Sequence, residues 1–423
     1  MTTYLPRIAD FILNEKLQSK GAVLVQGPKW CGKSTTSARQ AKSIVYMQDP
    51  STTEQNQMLA KADAHQFLQG ETPKMIDEWQ IIPFIWDAIR FEVDQRDKFG
   101  QFILTGSATP VDTTHITHSG IGRITRLTMR PMSLYESQDS TGQVSLEELF
   151  SSPDKITGTT DKKLQDLAFL VCRGGWPKAV HQPEKIALQQ AIDYYDELVN
   201  SDVSKVDNVK RSKERMSHLM RALARNIASQ VSIPTLRKDM LANDVATLNE
   251  DTVASYIKVL KQLFVVEDLP AWNPNLRSKT AVRTLDTRHF VDPSIATSAL
   301  GIGPNDLIND LKTFGLLFES MCIRDLRVYA GKLNGEVFHY RDRNGLEVDA
   351  VIHLKNGNYG LVEVKLFSQE NIDAAAASLL KLSRKIDTQK MKAPSFLMVL
   401  TGTPYAYRRE DGVYVVPLAC LKD

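Results

Sequence analysis

Short apolar runs alternate with helix-period stretches over the first third of the chain. Ala22–Gln26, Ser43–Met47, Met75–Glu78, Phe102–Thr105 and Ile124–Met129 read as strands. Between them, Phe84–Arg96 sets Phe84, Ile85, Ala88, Ile89 and Val93 near 3.6-residue spacing and reads as a helix. Strands alternating with helices predict a mainly parallel sheet covered on both faces, an α/β fold. From Ser137 to Lys163 the pattern gives way to Ser, Thr, Asp and Gly, which predicts a surface loop or linker with a short helix at Leu146–Phe150. Helical spacing resumes at Leu164–Arg173 and Ile186–Val199. Met216–Ala228, Pro234–Met240 and Asp251–Leu263 predict three more helices, and apolar runs at Phe264–Val266, Ala271–Trp272 and Phe290–Val291 follow them. Three helices and then a hairpin is the winged-helix order. The last segment predicts a helix (Phe314–Val328), three strands (Glu336–Arg341, Glu347–Leu354, Tyr359–Leu366) joined by Asn-Gly turns, a helix (Asn371–Ile386), and strands at Ser395–Leu400 and Val413–Val416. The expected organisation is a parallel-sheet α/β domain over 1–137, a linker and helical segment over 138–200, a winged-helix-like domain over 201–300 and an α/β domain over 301–423.

Composition narrows the class. Of 423 residues, 42% are apolar and 24% charged, which suits a soluble globular chain and excludes a disordered, collagenous or coiled-coil one. Lys+Arg total 52 and Asp+Glu 50, so a nucleic-acid surface, if present, must be local. Residues 201–290 supply such an excess, with fifteen Lys/Arg against ten Asp/Glu. The four cysteines, Cys31, Cys172, Cys322 and Cys420, form no CxxC pair, which argues against zinc ribbons and disulfide scaffolds. No signal peptide and no apolar run of membrane-spanning length is read, so a cytoplasmic location is expected.

Gly27-Pro28-Lys29-Trp30-Cys31-Gly32-Lys33-Ser34 fits GxxxxGK[ST] between a strand and a helix. In such a loop the backbone N–H groups and the helix N-terminus cradle phosphates. Lys33 would reach the β- and γ-phosphates and Ser34 would hold Mg²⁺, so residues Gly27 to Thr35 are the expected ATP contacts. Asp77 is expected to hold Mg²⁺ through water, and Glu78 to polarise the attacking water. Thr105 and Ser107, at the end of the fourth strand, are placed to sense the γ-phosphate, and Arg123 is the first choice for an arginine finger.

These residues carry a family resemblance. The P-loop, Ile76-Asp77-Glu78-Trp79-Gln80, Leu104-Thr105-Gly106-Ser107 and Arg130-Pro131-Met132-Ser133-Leu134 resemble prokaryotic AAA-type P-loop ATPases with a C-terminal DUF4143 domain. Cys172-Arg173-Gly174-Gly175-Trp176-Pro177 and Phe290-Val291-Asp292-Pro293 resemble later segments of that family. The resemblance implies an AAA+ core, a winged-helix-like middle and a restriction-endonuclease-like C-terminal domain. A finger acting in trans implies a homo-oligomer.

Asp349 in one predicted strand and Glu363-Val364-Lys365 in the next approach, by resemblance, the PD-(D/E)xK nuclease signature. Paired carboxylates suit Mg²⁺, and Lys365 shares a strand face with Glu363. Glu319 on the preceding helix completes the expected metal set of Glu319, Asp349 and Glu363, with Gln369 a further candidate. In the middle segment, Ser255, Tyr256, Lys258, Lys261 and Gln262 are the candidate base readers. Arg237, Lys238, Arg277, Lys279, Arg283 and Arg288 are the candidate phosphate contacts. Three readings stay open: a Mg²⁺-dependent ATPase that engages DNA, a nucleotide-dependent switch for a protein partner, and an ATP-regulated nuclease.

Overall fold

The computed structural model describes residues 4–107, 120–152, 156–202, 212–241, 248–274 and 285–423. The chain divides into two compact units: Met1–Pro131 with Ser201–Lys210 and Val259–Phe264, and Met132–Asn200 with Arg211–Lys258 and Val265–Asp423. Among the described residues no helix is long and apolar enough to cross a membrane.

In the first unit the five expected strands form within a residue or two of their expected ends: β1 (Ala22–Gln26), β2 (Ser43–Tyr46), β3 (Lys74–Asp77), β4 (Phe102–Gly106) and β5 (Ile124–Thr128). All pair in parallel, in the order β2-β3-β4-β1-β5. Side chains alternate across β1. Ala22 and Leu24 join a core with Ile76, Leu104 and Ile89 of the helix Ile85–Arg96. Val23 and Val25 join another with Leu13 and Leu17 of the helix Ile8–Ser19. Both faces are buried, so the strands read as near-continuous apolar runs. Because β4 lies between β1 and β3, the loops leaving their carboxyl ends converge on one edge of the sheet.

In the second unit the helix Leu164–Arg173 forms over the residues its periodicity predicts, followed by Glu184–Glu197, Lys213–Arg225 and Ile233–Leu241. The helix Glu250–Gln262 also forms as expected. The runs after it pair through isolated bridges among the described residues, Val266 with Phe290 and Leu269 with Thr287 antiparallel and Ala271 with His339 parallel. Arg277, Lys279 and Arg283 lie outside the described residues.

The stretch 138–163 departs from the expected linker. It holds the predicted short helix, Leu146–Ser151, between two brief strands, β6 (Val144–Ser145) and β7 (Gly158–Thr159). The chain continues into β8 (Gly335–Arg341), β9 (Glu347–Leu354), β10 (Tyr359–Lys365), β11 (Phe396–Thr401), β12 (Tyr405–Arg408), β13 (Tyr414–Pro417) and β14 (Leu421–Lys422). β7 is the edge strand of a sheet ordered β7-β12-β13-β11-β10-β9-β8, and β6 pairs with β14. Two-residue strands have no alternation to read, and only partners more than 200 residues away define them. The helix Gln369–Lys385 buries Ile372, Ala376 and Leu379 against Val351, Leu361 and Val399 of this sheet.

A buried ion network organises the second unit. Asp292 is fully buried and accepts from Gly175 N at 2.9 Å, Ser294 N at 3.0 Å and Arg324 Nη1 at 2.9 Å. Arg324 also pairs with Asp325 at 2.7 Å, and Asp325 in turn accepts from Leu134 N at 2.9 Å. Trp176 Nε1 donates to Ser294 Oγ at 2.9 Å, and Met132 N to Gly175 O at 2.6 Å. The motif stretches that follow β5, Met132–Leu134, Gly174–Trp176 and Asp292–Ser294, therefore meet in one polar knot. Their residue types answer to burial: each charge and backbone polar group there needs a partner.

Candidate nucleotide site and acidic cluster

The P-loop leaves β1 at Gln26 and enters the helix Lys33–Gln40. Gly27 has φ of 148°, and a Cβ there would lie 2.1 Å from the Met129 carbonyl oxygen, so only glycine fits this passage. Pro28 and Cys31 are buried, Lys29 is half-buried, and Thr35 is exposed. Trp30 is exposed with φ of 64°, and Gly32 carries the second left-handed turn at φ of 98°. Lys33 is buried, and its Nζ donates to Pro28 O at 2.7 Å, which holds the ammonium inside the curl of the loop.

Sheet order brings the remaining candidates to the same edge. Ser34 Oγ donates to Asp77 Oδ1 at 2.7 Å, and Thr105 Oγ1 donates to that same oxygen. Asp77 and Thr105 are register partners on β3 and β4, which accounts for their contact. Glu78 follows Asp77 in a left-handed conformation, with φ of 55° and ψ of 49°. Its N–H points to Thr105 Oγ1 at 3.4 Å, and its carboxylate accepts from Gln80 and, at 3.5 Å, from Ser107 Oγ. Ser34, Asp77, Glu78, Thr105 and Ser107 thus form one hydrogen-bonded group beside Lys33. The Ser34 hydroxyl and the Asp77 carboxylate are oxygen donors in contact, a set that fits a hard divalent cation.

Arg123 stands elsewhere. It precedes β5, whose Ile124 pairs with Ala22 at the start of β1, so the length of β1, roughly 16 Å, separates it from the P-loop. Its Nε donates to Asp94 Oδ1 at 2.7 Å. Arg123 cannot serve the P-loop of its own chain. A residue that sequence reasoning missed is Arg7. It is buried, and its guanidinium donates to Cys31 O and to Arg130 O, both at 2.8 Å, tying the P-loop to the segment after β5. Nothing in the local pattern marks Arg7, because its partners lie 24 and 123 residues away.

In the second unit β9 and β10 run antiparallel, and Glu363 stands one step beyond the Val362–Ala350 pair, opposite Asp349. Lys365 Nζ bridges the two carboxylates, 3.1 Å from Asp349 Oδ2 and 2.7 Å from Glu363 Oε2. Asp349 Oδ2 also accepts from Val364 N at 2.8 Å, completing the backbone ladder where the strands part. Glu319, on the helix Leu311–Lys332, feels the charges of Asp349, Glu363 and Lys365. Among the described residues, however, no three acidic, His or Cys groups gather at metal-binding spacing. The structure thus brings Asp349, Glu363 and Lys365 together but does not complete the expected three-carboxylate set. Strand register fixes the pair, while the third ligand depends on helix placement that sequence spacing does not encode.

Burial, reinforced by the Asp349 charge, pushes the Glu363 carboxyl from 4.5 up to about 8, and Glu319 is raised by burial as well. A carboxyl raised on folding takes up a proton. Its stabilising contribution is complete below pH 4.5 and is lost as pH rises through about 8. Unfolding of the full chain by urea is expected to show stability falling across that window. One proton contributes at most about 1.4 kcal/mol per pH unit, and Glu363→Gln is expected to flatten the slope. An unchanged slope in that variant would assign the pH dependence to other groups.

Three candidates in the middle segment are committed elsewhere. Tyr256 is buried, and its hydroxyl accepts from Ser212 N at 3.1 Å. Arg288 pairs with Asp268. Arg237 donates to Leu248 O at 2.6 Å, while Ser255, Lys238, Lys258 and Lys261 are exposed.

Three family matches cover most of the chain. Residues 19–138 match a family described as an AAA domain, and with the P-loop and the five-stranded parallel sheet they form an AAA-type P-loop domain. Residues 164–306 match a domain of unknown function, DUF8612, and residues 314–421 match another, DUF4143. No curated protein matches the chain significantly. Among solved structures it is similar to a Walker-type ATPase of Pyrococcus abyssi, at 14% identity, with 70% of this chain and 96% of that chain covered and a TM-score of 0.42. It is also similar to the ORC1 protein of Aeropyrum pernix in complex with DNA, at 12% identity, with 74% and 95% covered and a TM-score of 0.23.

Proposed function

We propose that this chain is a Mg²⁺-dependent ATPase whose nucleotide state governs engagement of DNA. The observation that carries the reading is the contact of Ser34 Oγ with Asp77 Oδ1 at 2.7 Å beside a P-loop whose Lys33 is held inside its curl. Ser34 and Asp77 are the residues that would hold Mg²⁺, Asp77 through water. Mg²⁺ held there would supply charge neutralisation at the phosphates. Lys33 and the N–H groups at the start of the helix Lys33–Gln40 bind the phosphates. Glu78 accepts the proton of the attacking water. Thr105 fixes the neighbouring Asp77 oxygen and the Glu78 backbone, and Ser107 limits the swing of the Glu78 carboxylate. Arg123 fits a finger role only toward a second copy of the chain.

DNA engagement is supported by the local excess of fifteen Lys/Arg over ten Asp/Glu in 201–290 and by the exposure of Lys238, Lys258 and Lys261. Cleavage has less support. Lys365 already bridges Asp349 and Glu363, and Asp349 is tied to the β10 backbone. The C-terminal domain is therefore read as a binding element. Phosphate release measured with and without single-stranded, duplex and branched DNA tests the proposal. The expected result is faster hydrolysis with at least one of the three at moderate salt. An ATPase indifferent to all of them favours the nucleotide-dependent switch for a protein partner.

A further inference from the structure

Beside Glu78 stands a side chain to which the reading above gives no role. Gln80 lies two residues on, in the middle of the turn Trp79–Ile81, and its Nε2 donates to Glu78 Oε2. Its other end, Oε1, is buried and has no hydrogen-bond partner among the described residues. The amide cannot be reversed, because that would set its carbonyl oxygen against the carboxylate. Gln80 is therefore held with a buried acceptor unsatisfied, an arrangement that is costly unless the contact to Glu78 requires it. The space is shaped for this amide. A Cβ added to Gly106, at the end of β4, would lie 2.8 Å from Gln80 Oε1 and 3.2 Å from Trp79 Nε1. Trp79 is itself buried and packs against Trp86 with ring centroids 5.2 Å apart. Glu78, by contrast, sits on a left-handed turn and, among the described residues, has only Ser107, at 3.5 Å, as a second side-chain partner.

We propose that Gln80 is a positioning residue for ATP hydrolysis, clamping the Glu78 carboxylate in the orientation from which it accepts the proton of the attacking water. The proposal rests on Glu78 being the general base. Gln80 touches neither phosphate nor water in this scheme and acts through Glu78 alone. The packing of Gly106 against the amide makes β4 the second support of the clamp.

Steady-state ATPase kinetics, ATP affinity and thermal melting of the full chain test this in Gln80→Ala, the isosteric Gln80→Glu, Glu78→Gln and the double variant Glu78→Gln/Gln80→Ala. Gln80→Ala is expected to lower kcat roughly ten- to a hundredfold with ATP affinity unchanged, the scale of a misplaced reacting group. Gln80→Glu keeps the shape but replaces the donor with a like charge, so it is expected to lose turnover too, whether or not the alanine variant folds. In the Glu78→Gln background Gln80→Ala is expected to remove nothing further, since its route of action is already gone. Gln80→Glu with wild-type kcat beside an inactive Glu78→Gln overturns the proposal and leaves the general base standing. Losses that add in the double variant also overturn it, by assigning Gln80 a route independent of Glu78. Normal turnover by Glu78→Gln removes both the general-base reading and the clamp.

Discussion

Replacing Glu78 by Gln is expected to lower ATP turnover by roughly 10²–10⁴-fold while the chain still binds ATP with Mg²⁺. The substitution is isosteric, so the left-handed backbone at φ of 55° and the contact with Ser107 are kept, and the carboxylate that accepts the proton is lost. Asp77, Ser34 and Lys33 are untouched, which is why binding survives. The complementary variant, Lys33→Ala, removes the buried ammonium and is expected to lose ATP binding itself. Titration with a fluorescent ATP analogue and phosphate release on the same samples separate the two outcomes. Hydrolysis at the wild-type rate by Glu78→Gln would falsify the assignment of the general base.

Arg324→Met is expected to destabilise the second unit by about 3–5 kcal/mol, the range for breaking a buried ion pair by removing one partner. Arg324, Asp292 and Asp325 are essentially without solvent exposure. Met fills much of the volume but leaves two buried carboxylates without their shared counter-charge. Those carboxylates hold Gly175 N, Ser294 N and Leu134 N, so the disturbance reaches three separate parts of the chain. Urea denaturation followed by circular dichroism measures the change. A loss below about 1 kcal/mol, the scale of a surface pair, would mean that the network is relieved by water or by repacking. The same variant leaves the P-loop residues unaltered, so it distinguishes a fold-stabilising role of these motif residues from a catalytic one.

Much of the architecture was legible before the structure. The five strands of the first unit are short apolar runs because both faces of the sheet are covered, and their ends fall within a residue or two of the expected ones. The helix Leu164–Arg173 and the strand β9 fall on their expected residues. The P-loop and Asp77-Glu78 were readable as chemistry because their residue types and local order are themselves the requirement. Tyr256 and Arg288 show where such reading stops: residue type and position mark them as available, and a hydroxyl acceptor contact and an ion pair with Asp268 claim them.

By itself the sequence determined most of the strands and helices, that a phosphate-binding loop joins β1 to its helix, and which strand pair brings Asp349 opposite Glu363. These are local properties: periodicity, turn residues and motif spacing act within a dozen residues of each other. The tertiary structure alone decided that 138–163 contributes strands, that Arg7 ties down the P-loop, that Arg123 stands at the far end of the sheet, that Lys365 lies between the two carboxylates, and that Gln80 grips Glu78 with Gly106 against its amide. Most of these depend on which surfaces meet across tens to hundreds of residues. The remainder turn on the side-chain geometry that such packing imposes, and no pattern along the chain carries either.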